Sequence, residues 1–240
     1  MQPTFFPWVG YFDLIDAVDF FIFYDDVQFV KQSWQTRNRI VTANGISYIS
    51  VPVLKNKLNT NINQIIIDNT KSWQKKLLKT FFYNYQKSPF FKDVFPFIEK
   101  IINENKENLI DLNVDIITTI SQKLGLKTNF FLSSQLNSLE GKRDNRLVDI
   151  CKELNCISYL STLGSASYIE DKNSGGEFSK NDINLMYHNY SPVNYSQCFG
   201  NFEPYMSIID LLFNVGFNES LNFIKAGRNK VLTSQDLIIK

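Results

Sequence analysis

Two adjacent carboxylates, Asp25 and Asp26, stand about ten residues before a basic loop carrying Lys31, Arg37 and Arg39. A partly desolvated carboxylate takes a proton from a nucleophile, so Asp25 and Asp26 are candidate general bases. Arginine forks match carboxylate or phosphate oxygens in bidentate fashion. The cations therefore read as a salt-bridge network closed on the acids, as a phosphate clamp, or as both. Around them lie Gln2, Trp8, Gly10, Tyr11, Gln28, Trp34 and Asn38. With Lys31, Arg37 and Arg39 these residues form the expected substrate-binding set, and the whole block is read as one pocket. For either acid alone the plainer alternative is a turn or a helix cap, because short carboxylates satisfy free backbone donors.

A second group follows a predicted strand at ISYLST: Leu163, Gly164, Ser165, Ala166, Ser167 and Tyr168. Small residues let a backbone approach a ligand, and a serine hydroxyl there donates to a phosphate or sugar oxygen. Gly164, Ser165 and Tyr168 are accordingly assigned to substrate binding, with an ordinary Gly-Ser turn as the alternative. His188 is the single histidine and the third catalytic candidate, as a base in acyl transfer. A histidine bonded to its strand neighbours is the alternative. No metal site is expected, because Cys151, Cys156, Cys198 and His188 are irregularly spaced and no H-E-x-x-H motif occurs. No G-x-S-x-G elbow, P-loop or G-x-G-x-x-G motif occurs either, which disfavours serine hydrolase, P-loop and Rossmann dinucleotide chemistry.

The elements that must position these residues follow from pattern. Pro3 and Pro7 exclude a helix at the start, and Gly10 releases the chain into a short helix over Tyr11 to Ala17. Phe20 to Tyr24 is a short continuous run, aromatic except for Ile22, as in a strand buried on both faces. RIVTANGISYISVPV is a hairpin turned at Asn44-Gly45, and NINQIIID is a further strand. From Ser72 the period becomes helical, with Trp73, Leu77, Leu78, Phe81, Phe82 and Tyr85 on one side and Lys75, Lys76 and Lys79 opposite, read as a solvated face with a binding patch as the alternative. SPFFKDVFPFIEKII is helical, interrupted or begun at Pro96, with its aromatics in the core. Helices over Asn108 to Leu124 and Arg143 to Leu154 alternate with strands TNFFLSSQL, ISYLST and INLMYHNY, which argues for parallel pairing. Residues 170 to 182 read as a surface loop, and PYMSIIDLLFNVG as a helix capped by Gly216 with a last segment to Ala226. The expected class is α/β: a mainly parallel sheet flanked by helices, with an inserted β-hairpin and helical region. A single domain over 1–230, helical in its 71–124 portion, precedes a tail at 231–240.

Bulk properties set outer limits. The 240 residues carry 25 basic and 24 acidic side chains, a net charge of +1, so no global field favours a nucleic-acid or membrane partner. The three cysteines lack a C-x-x-C pair, which suits a reducing cytoplasm. No signal peptide and no membrane-spanning run is expected.

MQPTFFPWVGYFDLI followed by FYDDVQFVKQSWQTRNRI resembles the WbqC-like proteins, often encoded in bacterial gene clusters for O-antigen and other surface polysaccharides. RLVDICKELNCISYLSTLGSASYI and NYSQCFGNFEPYMSIIDLLFNVG resemble later blocks of that family. The gene context that the resemblance implies, taken with an Arg37/Arg39 clamp for a diphosphate and Trp8, Tyr11 and Trp34 as stacking surfaces, leads to the expectation of a transferase that adds an aminoacyl or acyl group to an amino-sugar nucleotide, with Asp25 or Asp26 accepting the amine proton. A nucleotide-dependent ligase or nucleotidyltransferase, and a non-catalytic binding or assembly protein of the same pathway, are the alternatives. The expected partner is a nucleotide sugar. No nucleic-acid target is called for, although an aminoacyl-tRNA donor stays open, and an oligomer is possible. No cofactor is called for beyond a nucleotide-activated substrate. The order of turn, helix and strand also resembles the opening of class I nucleotidyl-transferase folds, but the two histidines of their turn are missing here.

Overall fold

The computed structural model describes every residue except Ser138, Lys172, Ile239 and Lys240, and of Ile238 only the backbone. Lys172 of the expected 170–182 loop and the last two residues of the tail thus lie outside the described residues. The chain forms two compact units. One comprises Met1–Phe131 with Pro192–Gly227, the other Leu132–Ser191 with the residues from Arg228 onward.

The first unit opens with α1 (Val9–Asp16), β1 (Phe20–Phe23), and a hairpin of β2 (Arg37–Thr42) and β3 (Gly45–Ser50). Three helices follow, α2 (Trp73–Tyr85), α3 (Phe91–Ile102) and α4 (Leu109–Lys123), then β4 (Asn129–Leu132), which pairs with β1. In the second unit are α5 (Asp144–Glu153), β5 (Ser158–Thr162), α6 (Ala166–Ile169) and β6 (Asn184–His188). The long α7 (Ile208–Ala226) returns to the first unit, and α8 (Ser234–Ile238) belongs to the second. The fold is mixed α/β. Its strands form two-stranded sheets: the expected parallel pairing joins β5 to β6, with Thr162 opposite His188, whereas β2 and β3 are antiparallel.

Several local expectations are corrected. α1 starts two residues before the expected Tyr11, so Gly10 lies inside the helix. A side chain at Gly10 would come within 2.2 Å of the Trp8 ring, which explains why glycine stands there. β1 is buried on one face: Phe21 and Phe23 are inside, whereas Phe20 is 39% exposed. Phe23 stacks on Phe130 of β4, ring centroids 5.5 Å apart. The expected strand NINQIIID is a 3-10 turn at Ile62–Gln64 flanked by isolated bridges, because Asn61 and Gln64 form a reciprocal capping box. α3 runs through Pro96, and its inward face is Val94, Ile98, Ile101 and Ile102. Its aromatics line a rim instead, where Phe91 and Phe95 meet Phe82. The expected helix end at Gly216 is present: its φ of 79° and ψ of 169° are non-helical and break α7 into two segments, the second running to Ala226. α4 closes at Gly125 with φ 81°, as a left-handed helix end favours. No helix among the described residues is long and apolar enough to cross a membrane.

Candidate functional site

The N-terminal loop, the hairpin and the start of α7 converge in the first unit, and backbone hydrogen bonds set their register. The Phe5 amide donates to the Trp34 carbonyl (2.8 Å), the Ser207 amide to the Arg39 carbonyl (2.9 Å) and the Ile208 amide to the Pro7 carbonyl (2.7 Å). Asn38, on the inner face of β2 and 4% exposed, donates its amide to the carbonyls of Phe5 (3.1 Å) and Phe6 (2.8 Å). The Ser207 hydroxyl adds a bond to the Phe6 carbonyl (2.8 Å). Phe6 needs this pinning, since its φ of 42° is one that bulky residues avoid at a cost of about 1–3 kcal/mol. Gln32 (φ 54°) and Tyr205 (φ 60°) share this left-handed conformation near the same junction. Strained backbone of this kind collects at binding and catalytic sites.

Because side chains alternate along a strand, Arg37 and Arg39 stand on the outer face of β2, opposite the side of Asn38. The Arg37 guanidinium lies 4.7 Å from the centre of the Tyr48 ring, and that of Arg39 lies 5.5 Å from Trp34. Trp34 and Tyr48 are themselves near parallel, 6.5 Å apart at 28°. On the other side, Arg39 donates to the Tyr205 carbonyl (3.2 Å), and the Tyr205 ring packs 5.3 Å from Trp8. The result is a row of rings and guanidiniums. Trp34, Tyr48 and Tyr205 are 47%, 53% and 48% exposed, so it forms an open face. Among the described residues neither arginine pairs with a carboxylate. The closed salt-bridge network is thus replaced by two cations held over aromatic rings, with their charge available. Among the described residues the buried Arg39 Nε has no hydrogen-bond partner.

The other expected site residues separate into scaffold and surface. Asp25 is 1% exposed and accepts from the Asn63 amide side chain (3.2 Å). It is buried like Phe21 and Phe23, a position that favours a supporting role over the expected catalytic one. Asp26 is half-buried. Asn38 and Gly10 support the site from within rather than bind. Tyr11, 2% exposed, donates to the Gln2 carbonyl (3.1 Å), and burial raises its phenol well above the ordinary value. Its ring is core. The Gln2 side-chain carbonyl accepts from Gln35 (2.9 Å), tying the N-terminus to the basic loop. Gln28 pairs by backbone with Asn61, and Lys31 is exposed.

Gly164, Ser165, Tyr168 and His188 belong to the second unit. A side chain at Gly164 would meet nothing within 4 Å, so no close approach demands glycine there. Ser165 is committed to its neighbours: it donates to the Thr162 carbonyl (2.7 Å) and lies 2.7 Å from the Ser161 hydroxyl and 2.9 Å from that of Thr162. The expected free donor is instead a local turn clasp. Tyr168 is 38% exposed, with the Arg143 guanidinium 6.0 Å from its ring, and burial raises its phenol. The His188 ring stacks 5.7 Å from Tyr190. Among the described residues no group of three or more His, Cys, Asp or Glu could hold a metal ion.

Two features escaped the sequence reading. Tyr48 and Tyr205 complete the aromatic row. Asp210, 1% exposed in the first turn of α7, collects the hydroxyls of Tyr85 (2.8 Å) and Tyr195 (3.0 Å) and the amide of Gln197 (2.9 Å). Burial raises its carboxyl, while these donors oppose the rise. A charge inside the apolar run IIDLLF was the signal available for it.

Two stability-related outcomes follow from this geometry. Asn38→Ala is expected to lower unfolding free energy by about 2 kcal/mol in urea titration, because it strips donors from buried carbonyls. The Cys151 thiol, pushed up to about 12 mainly by burial, is expected to resist alkylation at neutral pH until the chain unfolds.

A family model described as the WbqC-like protein family matches residues 2–221. The uncharacterized protein Rv1507c of Mycobacterium tuberculosis is 35% identical over 219 residues, covering 90% of this chain and 92% of that one. No solved structure matches the chain.

Proposed function

We propose, from the premise that this chain belongs to the WbqC-like protein family, that it is a transferase acting on a nucleotide-linked amino sugar in surface-polysaccharide synthesis. The observation that carries the reading is the outer face of β2, where Arg37 and Arg39 keep their charge free of carboxylates and sit among exposed rings. Guanidinium forks grip a diphosphate. Trp34 and Tyr48 offer one stacking surface for a base or sugar, and Trp8 with Tyr205 another.

In the proposed step the sugar amine attacks the carbonyl of an activated acyl or aminoacyl donor. A carbon–nitrogen bond forms, the ester or thioester bond breaks, and the amine proton passes to Asp26 and then to the leaving group. The openness of the face also suits a binding protein without turnover, and this second reading is separated from the first by product formation. The test is thermal shift and calorimetry with UDP-, dTDP- and GDP-amino sugars, ATP and acyl-CoA, followed by mass spectrometry for acylated sugar. A ligand at a hundred times its dissociation constant adds about 2.7 kcal/mol. One amino-sugar nucleotide is expected to stabilise the protein and to be acylated. Asp26→Ala is expected to bind it with unchanged affinity and to form no product. Stabilisation by ATP alone would instead point to a ligase, and binding without product to the non-catalytic reading.

A further inference from the structure

α2 carries a second polar surface remote in sequence from the arginine face. Its buried side is Trp73, Leu77, Phe81 and Tyr85, and the opposite side holds Lys75, Lys76 and Lys79. Among the described residues none of these three lysines has an ion pair. The helix contains no acidic residue. Lys75 and Lys79 are like charges at i,i+4, and Lys75 and Lys76 lie near the positive end of the helix dipole. Both arrangements destabilise a helix. An ordinary solvated face intersperses glutamate at such positions, and this one does not.

The lysine row divides two open grooves. One, of about 610 Å³, runs between α2 and α3, where Phe82 lies among the amides of Asn69, Gln74 and Asn105, with Phe95 and the Glu99 carboxylate on the α3 wall. The other, of about 500 Å³, follows the far side of α2 past Thr80 and Asn84 to Tyr83, and among the described residues it has no carboxylate in its lining. Tyr83 is 68% exposed and Phe82 42%. Each groove therefore joins shared cations, hydrogen-bonding side chains and one exposed ring. Lysines spaced about 6 Å along a helix suit successive phosphates of a strand, exposed rings stack bases, and amides reach base edges. An anionic membrane fits less well, because the apolar stripe a bilayer would need is the side buried in the core.

We infer that the Lys75–Lys76–Lys79 face of α2, with Phe82 and Tyr83, binds a single-stranded nucleic acid. The inference does not depend on the transferase reading. The test is fluorescence anisotropy of the intact protein with a labelled single-stranded oligonucleotide, RNA and DNA in turn, over a salt series. Binding is expected with a log–log salt slope of about −2, from roughly 0.7 per neutralised phosphate for three lysines. Lys75→Gln/Lys79→Gln is expected to flatten the slope and weaken binding at low salt. Tyr83→Ala is expected to weaken it about tenfold at unchanged slope, since a stacked base is lost but no charge. Melting curves check that both variants fold. Arg37→Ala/Arg39→Ala should bind the oligonucleotide normally, so failure of the sugar site and failure of this one are distinguishable. The idea is overturned by no oligonucleotide binding at low salt, or by equal binding in the lysine variant. It is also overturned if Tyr83→Ala has no effect and heparin binds as well, which would mean a generic cationic surface. Capture by phosphatidylserine vesicles in place of the oligonucleotide would mean a membrane contact and overturn it too.

Discussion

Replacing Arg37 and Arg39 together by alanine is expected to weaken binding of a nucleotide-linked amino sugar by about 10²–10⁴-fold. Each guanidinium would make charge-assisted hydrogen bonds to the diphosphate, and such bonds contribute about 1.5–3 kcal/mol. Two of them, at 1.4 kcal/mol per tenfold, give that range. The same change costs the fold little: two cation–ring contacts on an exposed face contribute roughly 0.5–1 kcal/mol each, a melting shift of a few degrees. Isothermal calorimetry beside a melting curve separates the effects. Arg37→Lys/Arg39→Lys retains the charge but not the fork, and an intermediate affinity is expected. Equal affinity in wild type and the double alanine variant would remove the hairpin face from the site and, with it, the proposed reading.

The arginine pair was legible in the sequence because residue type and i,i+2 spacing suffice to place two side chains on one face of a strand. Its aromatic partners were not. The hairpin was read with its turn at Asn44-Gly45, but the structure turns at Ala43 and Asn44 and gives the positive angle, φ 90°, to Gly45 alone. Thr42 therefore faces Gly45, and Arg39 faces Tyr48. The difference moves each partner by two residues, which preserves the faces and changes the neighbours. Tyr205 lies 166 residues from Arg39, and no local pattern announces a contact at that distance.

The acid pair shows the complementary limit. Asp25 and Asp26 are indistinguishable by type, yet past the end of β1 Asp25 is buried like Phe21 and Phe23 whereas Asp26 is half-buried. Reading the aromatic run as buried on both faces concealed that difference. Likewise, Asn38 looks in sequence like a member of the basic loop. Only the placement of the Phe5 and Phe6 carbonyls shows that its amide is spent on holding a strained turn. Site and support interleave here along a single strand, residue by residue.

Asp210 is where stability and pH are expected to couple most strongly. Asp210→Ala should destabilise the protein by about 3–5 kcal/mol, because it leaves Tyr85, Tyr195 and Gln197 with buried donors and no acceptor. Asp210→Asn keeps one oxygen for Tyr195 and Gln197, and the Tyr85 hydroxyl can turn to accept from the new amide, so its cost at neutral pH should be smaller. The comparison of wild type with Asp210→Asn carries the pH signature. The native carboxyl is raised above its ordinary 3.8, so between those two values the folded state holds more protons than the unfolded one. Stability per unit pH follows the protons bound unfolded minus those bound folded, which is negative here. The wild type should therefore be most favoured, relative to the asparagine variant, below pH 3.8. It should lose that advantage as pH rises through the native value, and the difference should then stay flat. Urea midpoints of both proteins across pH 3 to 8 read this directly. A difference that grew with pH would mean that its donors, which include the Asn214 side chain and the Val41 backbone amide as well as Tyr85, Tyr195 and Gln197, hold Asp210 ionised against its burial, and the hub would then be an anchored anion around which α2 and α7 are tied.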